Sequence, residues 1–234
     1  MEKKALAVIT ARGGSKRIPR KNIKSFCGEP IISYSIKAAL KSKVFSEVMV
    51  STDDAEIADI ACRYGAKVPF MRSKSTAGDY ATTADVLMEV LNEYSKRGMS
   101  FDYMCCIYPT APFVTANKLK EAMQVLKNSD SVEVMPVVPF SYPPQRCFVI
   151  DKDGKMEYKY KEFINTRSQD LEKQYHDAGQ FYMYNIRKYL KLNGKISGDI
   201  MPIIVNEMEV QDIDNEEDWK LAELKYNIMN SMNK

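Results

Sequence analysis

The segment ALAVITARGGSKRIPRKN (Ala5–Asn22) joins an apolar run to a glycine turn crowded with cations. Residues 5–10 are too few for a helix and continuously apolar rather than alternating, the pattern of a strand covered on both faces. Gly13 and Gly14 let the backbone approach a ligand and present its N–H groups, so a glycine turn leaving a strand is a reasonable cradle for phosphate. Six cations (Arg12, Lys16, Arg17, Arg20, Lys21 and Lys24) follow one another with no acid before Glu29. Their mutual repulsion favours a polyanion as partner, and a triphosphate fits. One such contact is worth about 1 kcal/mol in water and ~4 kcal/mol at the partly screened dielectric of a cleft. The alternative is a solvated basic loop. Neither GxxxxGK[ST] nor GxGxxG occurs, which argues against a P-loop ATPase and a dinucleotide dehydrogenase.

Outward from this turn the chain alternates short apolar runs with amphipathic segments. EVMVST (47–52), YMCCIY (103–108) and VEVMPVV (132–138) repeat the pattern of the first run. Between them, Ile57, Ile60, Ala61 and Tyr64; Leu87, Val90, Leu91 and Tyr94; and Leu119, Ala122, Met123 and Leu126 recur at helical spacing. Asp53 and Glu56 form a capping-box arrangement before the first of these, and Gly65 marks its stop. The β-α-β-α order predicts an α/β fold with a mostly parallel, Rossmann-like sheet flanked by helices, and ligands in such sheets gather at the carboxyl ends of the strands.

After about residue 140 the rhythm changes. FVIDKDGKMEYKY reads as a hairpin around Asp153-Gly154. GQFYMYNI (179–186) and MPIIVNE (201–207) resume the strands, and 215–229 reads as a closing helix. The 234 residues then form one domain, with 141–177 an inserted arm too small and polar to own a core. Such an arm packs on a partner, so a homodimer is expected.

A formal charge of +3 with a single local basic cluster argues against nucleic-acid binding. No apolar stretch approaches a membrane helix of roughly 18 residues. The five cysteines lack CxxC spacing and the one histidine, His176, cannot complete a zinc set with them. They read as reduced core thiols, and the expected compartment is the cytoplasm. Near the far end, VQDIDNEEDW places Asp212 and Asp214 two apart, on one face of an extended segment. Paired carboxylates can hold Mg²⁺ against phosphate oxygens. Asp214 followed by Glu217 is equally a helix N-capping box before Trp219.

The turn ARGGSKRIPRKN, with YSI (34–36), VSTDD (50–54), YPTAPF (108–113) and QDID (211–214), resembles the acylneuraminate cytidylyltransferases, which join nine-carbon 2-keto acid sugars to CMP from CTP. The likeness spans nearly the whole chain. It implies that Ala11, Arg12, Gly13, Gly14, Ser15 and Lys16 hold the CTP phosphates, with Pro109 and Thr110 completing the nucleotide set. Asn22, Arg72, Ala81 and Thr83 match the nucleoside contacts. It makes Arg12, Lys21 and Asp214 the catalytic residues, with Lys21 facing the leaving pyrophosphate, and it places Mg²⁺ at Asp212 and Asp214. The anomeric hydroxyl attacks the α-phosphate in line, so no covalent intermediate is needed. The acceptor carries a carboxylate, for which the arm offers Arg167 as a bidentate partner and Arg146 as a second candidate. His176, Gln180 and Tyr182 lie close to it in sequence. TRSQDLE followed by YHDAGQFY is most similar to the branch of the family acting on pseudaminic acid, and Tyr108 stands where the sialic acid branch has glutamine. Neuraminate and legionaminate are the alternative acceptors, and a CTP-binding regulator without turnover is the alternative of another class.

Overall fold

The computed structural model describes residues 3–15 and 17–232. In chain order its strands are β1 (Ala5–Thr10), β2 (Ser25–Phe26), β3 (Glu29–Pro30), β4 (Glu47–Ser51), β5 (Tyr103–Ile107), β6 (Glu133–Pro139), β7 (Phe148–Ile150), β8 (Met156–Tyr158), β9 (Tyr175–Asp177), β10 (Phe181–Asn185) and β11 (Ile200–Ile204). The helices are α1 (Ile32–Ser42), α2 (Ala55–Arg63), α3 (Lys74–Ala77), α4 (Thr83–Lys96), α5 (Ala116–Asn128), α6 (Ile186–Lys191) and α7 (Glu216–Met232).

The main sheet runs β11-β6-β10-β5-β1-β4, with β9 also paired to β6. β1 is parallel to β4 and to β5, and β6 is parallel to β11, so the architecture is an α/β sheet of mainly parallel strands. β10 is antiparallel to both β5 and β6. It runs the other way because the chain leaves β6 on a long excursion and comes back to the sheet from the end at which it left. From β1 the chain crosses to β4 on one side and later to β5 on the other. The strand order therefore diverges at β1 and β5, and a crevice opens outside their carboxyl ends.

Alternation along β1 explains the two layers of core. Ala5, Ala7 and Ile9 face Ile32, Ile36, Ile57, Ile60, Leu119 and Ala122 of α1, α2 and α5. Leu6 and Val8 face Leu87, Val90 and Ile186, on the side of α4 and α6. Truncating one of the buried leucines or isoleucines among these to Ala would cost about 2–5 kcal/mol. Of the helices, α1 lies outside the three segments predicted from periodicity. Ser33, Ser35 and Ser42 are buried in it among the apolar residues and interrupt the stripe.

Two caps differ from the sequence expectation. Asp54 rather than Asp53 caps α2, accepting from Ile57 N, while Gly65 does end the turn in the left-handed region at φ +93°. Asp53 is drawn away because its carboxylate accepts from Gly13 N at 3.0 Å. At α7 the cap is Asn215, whose side-chain oxygen accepts from Glu217 N and Asp218 N. Asp218 reaches back to the N–H groups of Asp214 and Asn215. The Asp214 carboxylate takes no part, so the predicted Asp214–Glu217 box is displaced by one residue.

Within 141–177 the β7–β8 hairpin forms its own two-stranded sheet, with Phe148, Val149, Ile150 and Met156 exposed. β9 then joins the main sheet in register Val137↔Asp177.

Candidate active site

A cleft of about 400 Å³ opens where β1 and β5 end, lined by Thr10, Arg12, Ser15, Arg17, Lys21, Asn22, Tyr108, Pro109 and Thr110. It brings seven of the sequence-predicted residues together: Arg12, Ser15, Lys21, Asn22, Tyr108, Pro109 and Thr110. Thr10 and Arg17 are the additions. The position of Thr10 at the strand end and the charge of Arg17 in the basic run were the available signals.

Asn22 holds the glycine turn closed. It is buried, and its Nδ2 donates to the Arg12 carbonyl at 2.8 Å. Gly13 is required for close approach: a Cβ there would lie 2.7 Å from Asp54 Oδ2, whereas one at Gly14 would meet nothing within 4 Å. Ala11 is fully buried beneath the turn, its N–H donating to Ser51 O at 3.0 Å. Lys16 lies outside the described residues.

The six cations do not act as one cluster. Arg20 leaves the cleft for the start of α2, where it pairs with Asp54 and Glu56 and, with its neighbours' backbone bonds, holds the Asp54 carboxyl below its usual range. Lys24 bonds Glu216 at 2.6 Å and lies 4.7 Å over the Trp219 ring, docking α7. Arg12 pairs with Asp79 at 2.8 Å. Arg17 and Lys21 turn toward the far end of the chain.

There the aromatic cluster of Phe26, Tyr34, Trp219 and Tyr226 packs α7 against the β2–β3 hairpin. The segment leading into α7 is pegged by Ile213, which is 1% exposed. Lys21 Nζ donates to the Ile213 carbonyl at 2.6 Å, and Arg17 Nη2 sits 2.7 Å from Asp214 Oδ1. Burial lowers the Lys21 ammonium below its ordinary value, while Asp214 and Asp212 act in the opposite direction. Both carboxylates therefore lie close enough to be felt at Lys21, one on each side of the buried Ile213.

Among the described residues, no group of three or more His, Cys, Asp or Glu side chains is placed to hold a metal by itself. Asp212 and Asp214 are the residues that would hold Mg²⁺, an ion that prefers oxygen ligands and is held by one or two carboxylates. The donor chemistry is right, since both groups are oxygen ligands and Asp214 is free of the helix cap.

Other predicted residues lie apart from this end of the cleft. Arg72 is buried against β4, donating through Nε to Ser51 Oγ at 3.0 Å and through Nη2 to Ser51 O at 2.7 Å, and burial lowers its pKa. Ala81 and Thr83 flank Thr82, the N-cap of α4. Gln180 is 5% exposed and its amide donates to Glu209 O at 2.5 Å, which makes it a strut between the start of β10 and the segment after β11. His176 meets Phe140 with the ring centroids 4.8 Å apart and the planes tilted by 59°. Arg167 stands on the arm, largely exposed and bonded to Asp170 at 2.7 Å. Arg146 bonds the Thr166 carbonyl.

Tyr108 and Tyr182 meet edge to face at 5.4 Å. The Tyr182 hydroxyl donates to Asp177 Oδ2 at 2.6 Å, and Ser35 Oγ donates to the Tyr108 carbonyl at 2.8 Å. Burial raises both phenols above their ordinary value. The arrangement is a glycine turn with its cations and an acidic pair at one end of a crevice, with Tyr108 at the other.

A family model described as Cytidylyltransferase matches residues 6–220. The pseudaminic acid cytidylyltransferase of Campylobacter jejuni is 38% identical over 96% of this chain and 97% of its own. The CMP-N,N'-diacetyllegionaminic acid synthase of Legionella pneumophila is 34% identical over 93% and 94%. Among solved structures, CMP:2-keto-3-deoxy-manno-octonic acid synthetase complexed with CTP superposes with a TM-score of 0.68, covering 97% of this chain and 99% of that one at 19% identity. With the family model covering nearly the whole sheet and the glycine turn meeting the acidic pair, the chain belongs to the cytidylyltransferase family of nucleotidyltransferases.

Proposed function

We propose that the protein transfers CMP from CTP to a nine-carbon 2-keto acid sugar, pseudaminic acid, releasing pyrophosphate. The observation that carries this reading is the meeting of Lys21 with the 212–214 segment at the mouth of the cleft. Arg12, Ser15 and the glycine turn hold the triphosphate, and Asn22 fixes the turn that does so. Asp212 and Asp214 hold Mg²⁺, which when bound neutralises phosphate oxygens and orients the substrate. Charge builds on the departing pyrophosphate as the sugar hydroxyl attacks. A fixed ammonium at Lys21 stabilises that transition state more than it stabilises bound CTP.

The acceptor enters beside Tyr108 and Tyr182. Arg167 is exposed on the arm and is not among the residues lining the cleft, and the exposed apolar residues Phe148, Val149, Ile150 and Met156 suit burial against a second copy. The protein acts as a homodimer whose arm brings the acceptor-carboxylate arginine to the neighbouring cleft.

The test supplies CTP and Mg²⁺ with pseudaminic, neuraminic, legionaminic and eight-carbon 2-keto acids in turn and measures pyrophosphate release. Release that requires an acid and is fastest with pseudaminic acid is expected. A preference for legionaminate or neuraminate would overturn the acceptor, and CTP binding without release for any acid would make the protein a CTP-binding regulator.

A further inference from the structure

Arg17 and Lys21 both reach the segment that carries the acidic pair, but they are held there in different ways. Lys21 is part-buried and its Nζ donates to the Ile213 carbonyl at 2.6 Å, so it is fixed to the backbone. Arg17 meets the Asp214 carboxylate instead, with Nη2 2.7 Å from Oδ1, and its side chain is 69% exposed. The Asp214 side chain is itself 40% exposed, and its carboxylate stays out of the α7 cap, where Asn215 and Asp218 accept the N–H groups. An ion pair this open is weak, because water competes for both partners and two mobile side chains must be ordered. Arg17 also lines the cleft, so its guanidinium can leave Asp214 without leaving the site.

We propose that Arg17 is an exchangeable counter-cation of Asp214: the guanidinium and a divalent metal ion compete for that carboxylate, so Arg17 lowers the affinity of the acidic pair for the ion. This deepens the reading of Asp212 and Asp214 as the metal-holding residues and rests on it. Against a doubly charged ion the repulsion is twice that between unit charges at the same distance. Mg²⁺ is commonly held by one or two carboxylates together with substrate phosphates. A counter-cation on Asp214 reduces the share of that affinity which the protein supplies alone, and so ties the metal more closely to the arrival of the phosphates. The opposite role is that of an orienting donor that steadies Asp214 for the metal, and losing such a partner weakens metal binding by about tenfold or more. The two roles differ in sign.

The test measures binding of Mn²⁺, an ion that shares the preference for carboxylate and water oxygens, to the full chain without CTP, from the electron paramagnetic resonance signal of the free ion. Arg17→Gln keeps polarity and most of the length while removing the charge. It should tighten Mn²⁺ binding about threefold to tenfold at low salt, the scale of one exposed charge acting on a divalent ion. The gain should shrink as KCl is raised, since exposed charges are screened. Arg17→Lys, which keeps the charge, should stay within about twofold of wild type. Unchanged or weaker Mn²⁺ binding in Arg17→Gln, or an equal gain in Arg17→Lys, would overturn the proposal. Asp214→Asn checks the premise and should weaken Mn²⁺ binding at least about tenfold. Binding that Asp214→Asn leaves intact would overturn the assignment of the metal to the acidic pair, and the competition would fall with it.

Discussion

Lys21 Nζ donates to the carbonyl of Ile213 at 2.6 Å, closing a gap of 192 residues in the chain. The bond places the last cation of the cleft lining against the loop that carries the acidic pair. It brings the basic loop after the first strand and the acidic segment before the last helix together at one mouth of the cleft. Burial of Ile213 and the aromatic packing of Trp219 hold that loop in place.

Replacing Lys21 with Met keeps the packed stem and removes the charge. The expected result is a fall in kcat of about 10²–10³-fold, the scale of losing one preorganised charge at a developing anion. CTP affinity should weaken far less, as steady-state kinetics with equilibrium CTP binding would measure. Equal losses in both would assign Lys21 to ground-state binding.

Gly13→Ala and Gly14→Ala form a contrast. The first drives a Cβ to 2.7 Å from Asp54 Oδ2, and the second meets nothing within 4 Å. Overpacking of this kind costs about 1–3 kcal/mol. At roughly 2–4 °C per kcal/mol for a chain of this size, Gly13→Ala should lower Tm by several degrees. Gly14→Ala should leave Tm unchanged, as thermal unfolding of the two variants would report.

The Asn215 cap separates stability from catalysis at the acidic segment. Asn215→Ala should cost about 0.5–2 kcal/mol in denaturant titrations through loss of the α7 cap. Its turnover should stay within about threefold of wild type. A large activity loss with full stability would move the functional role from Asp214 to Asn215.

Glu133 supplies a pH dependence. It is 6% exposed, and burial raises its pKa from 4.5 to about 7. Between those values the folded state binds the proton and the unfolded state does not, so stability is full below about pH 4.5 and falls as pH rises through 7. The difference corresponds to about 3 kcal/mol at most. Glu133→Gln should therefore gain stability relative to wild type as pH rises from 5 to 8 in chemical denaturation. Parallel pH profiles for the two proteins would contradict this.

β1, β4 and β5 were readable because continuous burial on both faces leaves continuous apolar runs, and α2, α4 and α5 because each presents one unbroken stripe. α1 was hidden by three buried serines, one of which, Ser35, supports the Tyr108 carbonyl. In the site, residue types pointed to phosphate, but charge alone could not divide the cations. Arg20 and Lys24 serve helix docking because Asp54 and Glu216 come within reach only after folding. Asp53 and Asp54 are adjacent carboxylates with different tasks, and only the approach of Gly13 distinguishes them.

The decisive comparison is the rate of pyrophosphate release from CTP with pseudaminic acid and Mg²⁺ for wild type and Asp214→Ala, alongside the Tm of each. A drop of about a hundredfold or more with Tm within about 2 °C is predicted, since the Asp214 carboxylate lies outside the helix cap. A variant that turns over at close to the wild-type rate would contradict the convergence of Lys21 and Asp214 on one triphosphate.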